Sequence, residues 1–208
     1  MSSRKPKTVL FRRKREKKTN YAKRLSLLLS RKNRLVVRFT NQRIIAQLVS
    51  FTTTGDKVLL GLDSFALKKE GWKHSCKNIP AAYLMGLYFG KVALKNNLEE
   101  AIIDTGFKTP QQKGKLYAFL KGAIDSGMKI PHGDESIFPD DARLSGEHIK
   151  NHATLLKDKG GSQLAQYLKN NSKLEAITED ITAMRKKLER SEERRVGKEC
   201  RSRWSPYH

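Results

Sequence analysis

Fifteen of the first forty residues are lysine or arginine, and a single acid, Glu16, stands against them, a net of +14. Such a segment cannot bury itself, because closely spaced like charges repel and too few apolar side chains are present to offset the entropy of ordering. The remainder differs. Residues 41–152 carry 15 basic and 12 acidic side chains, and residues 153–208 carry 13 and 8. The chain therefore divides into a cationic arm (1–18), a domain of ordinary charge balance (19–152), a helical C-terminal extension (153–190) and a tail (191–208).

A formal net charge of +22 on 208 residues calls for a polyanionic partner, since phosphates relieve the self-repulsion. A membrane surface fits less well, because the arm offers no broad apolar face. The longest apolar stretch, Ala81–Phe89, is too short to span a bilayer, and the opening MSSRKPKTVLFRRKREKK lacks the apolar core of a secretory signal. Cys76 and Cys200 cannot build a disulfide framework and read as free thiols in a reducing cytosol.

Periodicity supplies the elements. Thr19 is placed to cap a helix on which Tyr21, Ala22, Leu25, Leu28 and Leu29 share a face toward the core, leaving Lys23, Arg24 and Arg31 for a partner. Three strands follow as an antiparallel meander. In the first, Leu35, Val37 and Phe39 alternate with Arg34, Val36 and Arg38. In the second, over 43–51, Ile44, Ala46 and Leu48 face inward; the third spans 57–63. Asn78 caps a helix that runs to about Asn96 with Pro80 in its first turn, and its Gly86 and Gly90 predict close packing on a sheet. A short buried strand at 99–104, a helix over 115–126 ended by Gly127 and a last short strand at 128–131 complete an α/β layered domain. Residues 134–150 show no clear period. Helical patterning resumes at 162–168 and 174–188, and 191–208 has none.

Alternation puts Arg34, Arg38, Arg43 and Gln47 on one face of the meander. From the pattern alone, a solvated polar face and a cationic RNA-facing platform stand level. Catalytic constellations are missing. His148 and His152 could share a helix face, yet no third ligand lies nearby. His74 and Cys76 have no helper residues, and Lys113-Gly114-Lys115 lacks the glycine spacing of a phosphate loop. Asp63, Glu99, Glu100, Asp104 and Asp125 could in principle hold Mg²⁺ for RNA cleavage, but nothing in the sequence converges them. No metal, cofactor, small-molecule substrate or enzyme activity is expected. A DNA-coating protein is the remaining alternative, separable by preference for duplex DNA over folded RNA.

The segments TNYAKRLSLL (19–28), RLVVRFTNQRIIAQLV (34–49), GWKHSCKNIPAAYLMGL (71–87), AIIDTGF (101–107), KLYAFLKGAIDSGMKIPHG (115–133) and RLSGEHI (143–149) together resemble the ribosomal protein family that binds 5S ribosomal RNA in the large subunit. That family is numbered eighteenth in the universal and bacterial series and fifth in the eukaryotic one, and the likeness is to its archaeal form, over about residues 8–190. It implies a mixed-sheet α/β layered domain of the translational-machinery-component type and a non-catalytic role in the cytoplasmic ribosome. The implied partners are 5S rRNA, large-subunit rRNA of the central protuberance and neighbouring ribosomal proteins. It also implies an RNA-facing set: Arg12, Arg13, Arg15, Lys17, Lys18 and Thr19 in the arm, Tyr21 and Arg24 on the first helix, Arg34, Arg38, Asn41 and Arg43 on the sheet, and Trp72 and Lys73 in a loop. The resemblance tips the sheet face toward the platform. Ser191–His208 finds no counterpart in the family and is expected to be a disordered tail or an extension foreign to the native sequence.

Each phosphate that the arm neutralises contributes about −0.7 to −0.9 to the slope of log K against log salt. Removing residues 1–18 should flatten that slope sharply while the domain still melts cooperatively. An unchanged slope in a folded variant would show that the arm does not meet phosphate.

Overall fold

The computed structural model describes residues 9–157 and 176–202. A one-turn helix α1 (Arg12–Arg15) precedes α2 (Tyr21–Leu29). Strands β1 (Arg34–Phe39), β2 (Ile44–Thr52) and β3 (Gly55–Asp63) form the antiparallel meander that the alternation predicts. A four-residue helix α3 (Ala66–Lys69) leads to the long α4 (Ile79–Lys95), then to β4 (Ile102–Asp104) and α5 (Lys115–Asp125). A 3-10 turn at Glu135–Ile137, α6 (Asp141–Leu144) and α7 (Glu147–Lys157) fill the stretch without a clear period, and α8 spans Ile177–Ser202. The sheet order is β3-β2-β1-β4, with β4 parallel to β1. The result is the mixed α/β fold that the sequence implies.

The core lies on the inner face of the sheet. Leu35 and Val37 of β1 and Ile44, Ala46 and Leu48 of β2 are buried together with Ala81, Leu84, Met85 and Phe89 of α4. Each fully buried side chain of this size contributes about 1.5–3 kcal/mol. Helix α4 buries most of its circumference, which is why its sequence is apolar all round. Asn78 caps it by accepting the Ala81 N–H at 3.0 Å, as its position predicts.

Three expectations are corrected. The glycines of α4 meet a helix rather than a sheet: a Cβ at Gly86 would land on the Phe119 carbonyl oxygen, and one at Gly122 of α5 on the Tyr83 carbonyl oxygen. Residues 128–131 form no strand, only a parallel bridge of Lys129 to Glu100. The cap of α2 is Asn20, whose side chain accepts the Lys23 N–H at 3.1 Å, and not Thr19.

Helix α8 packs on α4 through Ile177, Ile181, Met184 and Leu188, a buried strip at helical spacing. Polar contacts fix it: His74 Nε2 lies 2.7 Å from Asp180, Lys91 donates to the Leu188 carbonyl at 2.9 Å, and Lys187 pairs with Glu70. The backbone stays helical across position 190. The helical patterning at 162–168 and the last residues, 203–208, lie outside the described residues.

Replacing Gly86 by alanine gains about 1 kcal/mol of helix propensity but pushes a methyl into backbone, which overpacking data place at about 1–3 kcal/mol or more. The steric effect should win, with unfolding free energy down by about 2 kcal/mol in denaturant titration. Gly133→Ala, where nothing lies within 4 Å of the new methyl, should be neutral. Equal behaviour of the two variants would refute the close helix contact.

Candidate nucleic-acid interface

The outer face of the sheet is not bare. The register sets Val36 opposite Gln47, Arg38 opposite Ile45 and Arg34 opposite Val49 on this side. The 13–20 segment and α2 cross it, enclosing a cleft of about 370 Å³. Arg13, Lys18, Arg24, Arg34 and Arg38 line it, together with Asp56 and Asp104.

Its floor is a charged network. Arg34 is 4% exposed. Its Nη1 donates to Asp104 Oδ2 at 3.0 Å, and its Nη2 lies 2.8 Å from Asp56 Oδ2, an ionic contact outside hydrogen-bond geometry. The second oxygen of Asp56 accepts from Arg24 Nη2 at 2.9 Å. Lys23 donates to Thr105 Oγ1 at 2.6 Å. Helix α2 thus turns Lys23 and Arg24 toward the sheet, half-buried together with Tyr21, Leu27 and Leu28, so the helix is rotated away from the expected orientation. Leu25 and Leu29 point outward, 64% and 78% exposed. The sheet surface beneath α2 is polar and offers carboxylates and a hydroxyl, so Lys23 and Arg24 turn toward it.

Above this floor stand Arg13 and Arg38, cations without ion-pair partners among the described residues, and Lys18, which is paired with Glu16. Arg38 has no ion pair among the described residues; its guanidinium lies over Gly106, whose absent side chain leaves it room. Arg13 is held by its Nε–H to Thr19 Oγ1 at 2.8 Å, so Thr19 positions a cation rather than capping a helix. Glu16 pairs with Lys18 at 2.7 Å and Arg12 at 2.9 Å, and those contacts hold its carboxyl below the usual range. The Tyr21 ring packs at a tilt against Phe11, centroids 5.5 Å apart, tying arm to helix.

Of the fourteen residues that the resemblance implies, Arg13, Lys18, Thr19, Arg24, Arg34 and Arg38 come together in the cleft. Arg12, Arg15 and Lys17 are exposed on the arm beside it, and Asn41 is exposed in the β1–β2 turn. Arg43 lies at the end of that turn, outside the cleft lining, 2.8 Å from Asp63 and over the Phe65 ring. Lys73 is exposed, but Trp72 is in the core with its indole N–H on the Ser75 carbonyl, so no ring face is left for a base. Arg34 is likewise a buried structural cation. Asp56, Asp104 and Lys23 are essential to the site and were not signalled by the alternation. The acids surveyed for metal chemistry are dispersed: Asp63 on Arg43, Glu99 on Lys129, Glu100 on Lys32, Asp104 on Arg34, Asp125 on Tyr83. Among the described residues no three His, Cys, Asp or Glu side chains converge as metal ligands, and no helix is long and apolar enough to cross a membrane.

A basic α/β domain with a cationic cleft over its sheet is the architecture of a ribonucleoprotein component, and comparison with known proteins agrees. Residues 5–101 match the family described as ribosomal large subunit proteins 60S L5 and 50S L18. The chain is 42% identical over 183 residues to the large ribosomal subunit protein uL18 of Methanococcus maripaludis, a match covering 86% of this chain and 94% of that protein. The chain belongs to the uL18 family of structural large-subunit ribosomal proteins.

Truncating Arg34 strands the buried carboxylate of Asp104, while Asp56 keeps Arg24. Arg34→Ala should therefore cost about 3 kcal/mol of unfolding free energy, in the range for breaking a buried pair from one side. Adding Asp104→Asn to Arg34→Met should recover most of the loss, because an amide oxygen removes the stranded charge and still accepts the Gly106 N–H now held by Asp104 Oδ1 at 2.9 Å. A single-variant cost below about 1 kcal/mol would mean that the network is not a structural element.

Proposed function

We propose that the chain binds 5S rRNA through the outer-face cleft and the arm, and helps fasten it to large-subunit rRNA in the central protuberance of the cytoplasmic ribosome, beside neighbouring large-subunit proteins. The observation that carries this reading is the arrangement of charge: a floor neutralised by Asp56 and Asp104, and above it Arg13 and an Arg38 fork with no carboxylate in ion-pair contact among the described residues, beside Lys18, which is paired with Glu16. A guanidinium in that position can grip a phosphate through two parallel N–H bonds or stack on an unpaired base. The arm adds cations whose attraction is long-ranged and independent of sequence. The dispersed, already paired carboxylates favour no metal-dependent cleavage of RNA.

Arg38→Ala should weaken binding of a 5S rRNA transcript by about 1.5–3 kcal/mol, the worth of a charge-assisted hydrogen bond, with the melting temperature unchanged because no buried partner is stranded. Arg38→Lys should not restore affinity, since an ammonium cannot reproduce the fork. Wild-type affinity in Arg38→Ala would remove the cleft from the interface and leave binding to the arm.

A further inference from the structure

A second cavity, of about 460 Å³, opens at the carboxyl ends of β1 and β4. Val37 and Phe39 line it from the inner side of the sheet, so it faces away from the outer-face cleft. Four cations stand around it, Lys108, Lys113, Lys115 and Arg143, and no carboxylate does. The neighbouring cavity, of about 540 Å³, shows what an ordinary charged hollow on this protein looks like. There Lys113 and Lys121 meet Asp125, Glu135, Asp140 and Asp141. Lys113 is engaged on that side, 2.9 Å from Asp140. Lys108 donates to the Phe39 carbonyl at 3.3 Å, a neutral acceptor that leaves its charge uncompensated. Lys108, Lys115 and Arg143 have no ion pair among the described residues.

We propose that this crevice takes an unpaired RNA nucleotide, with the base over the apolar floor of Phe39, Pro110 and Leu116 and the phosphate between Lys108, Lys115 and Arg143. The inference rests on the RNA-binding reading above and extends it to a second contact. The volume falls in the range of sites that hold a small molecule, and the hollow is concave, so a base turned out of its stack can enter where a duplex cannot. Unpaired nucleotides are recognised by a flat apolar support and by amides reaching the base edge. Phe39 and Pro110 provide the first, and the side-chain amides of Gln111 and Gln112 the second. Crevices outside the carboxyl ends of parallel strands are where α/β sheets commonly bind ligands. Because crevice and cleft open on opposite faces of the sheet, one straight stretch of RNA cannot fill both. The crevice therefore holds a separate segment, and the protein clasps RNA from two sides.

The test uses the full chain, the variant Lys108→Ala/Lys115→Ala/Arg143→Ala, and photo-crosslinking to thiouridine-substituted RNA with peptide mapping. One arm uses a 5S rRNA transcript; the other uses the preformed 5S complex with transcripts tiling the large-subunit rRNA. The expected result is a crosslink within residues 108–116 in one arm, which names the source of the segment. For that RNA the triple variant binds about tenfold more weakly, with a salt slope lower by about 2, while its melting temperature and the cleft crosslinks stay the same. Crosslinks at the cleft with none at 108–116 in either arm would overturn the crevice and leave the cleft reading intact. Absence of both would overturn the two together. Retention of a ribosomal protein after nuclease treatment, lost in the triple variant, would assign the crevice to protein and also overturn the proposal.

Discussion

The guanidinium of Arg34, sealed between Asp56 and Asp104, sets what the outer face of the sheet can do. Asp56 lies at the start of β3 and Arg34 on β1, two strands away, so the contact spans β2 and reaches α2 through Arg24. At about 3 Å and an effective dielectric near 20, each attraction is worth about 5 kcal/mol, and desolvating each ion costs several. The two nearly cancel. What the network adds is position: β1, β3, β4 and α2 are held in one arrangement, since any shift would leave a buried charge alone.

That arrangement consumes the acids of the outer face. With Asp56 and Asp104 engaged by Arg24 and Arg34, neither remains for Arg38 or Arg13, and Lys18 is paired only with Glu16 at 2.7 Å, so cations outnumber acids at the rim of the cleft. Residues 11–18 are held against this rim by small means. Helix α1 has four residues, too few to be stable alone, and the Phe11–Tyr21 contact and the Arg13–Thr19 bond supply the anchoring. On the proposed reading, affinity from such an arm would be strong at low salt and weak in geometry, and Arg38, on a strand, would have the opposite character. A ribonucleoprotein component gains from having both.

Where local pattern dictates structure, the sequence is a good guide. The alternation of Leu35, Val37 and Phe39 with Arg34 and Arg38 predicts the sheet faces, and Asn78 with Pro80 predicts the start of α4. The cleft is less legible because it depends on pairing between distant segments. Val36 stands opposite Asp104 only because β4 joins β1 in parallel, and a three-residue strand leaves almost no periodic trace. Trp72 shows the same limit from the other side. Its neighbours Gly71 and Lys73 read as an exposed loop, yet the ring packs against His74 in the core, with α8, more than a hundred residues away, reaching His74 through Asp180.

The orientation of α2 shows why hydrophobic patterning failed there. Turning Leu25 and Leu29 to solvent forgoes about 1.5–3 kcal/mol each. The polar bonds made in their place, Arg24 to Asp56 and Lys23 to Thr105, are worth about 1.5–3 kcal/mol each, so the two orientations are close on direct interactions alone. The surface beneath decides. Pressing leucines onto Arg34 and Asp56 would strip water from charges that the leucines cannot satisfy, at several kcal/mol per ion. A helix laid on an ion-pair network therefore turns its cations toward the charges, here with Leu27 and Leu28 half-buried beside them and Leu25 and Leu29 left in solvent. Patterning rules assume an apolar surface on the other side, and here β1, β3 and β4 provide a charged one.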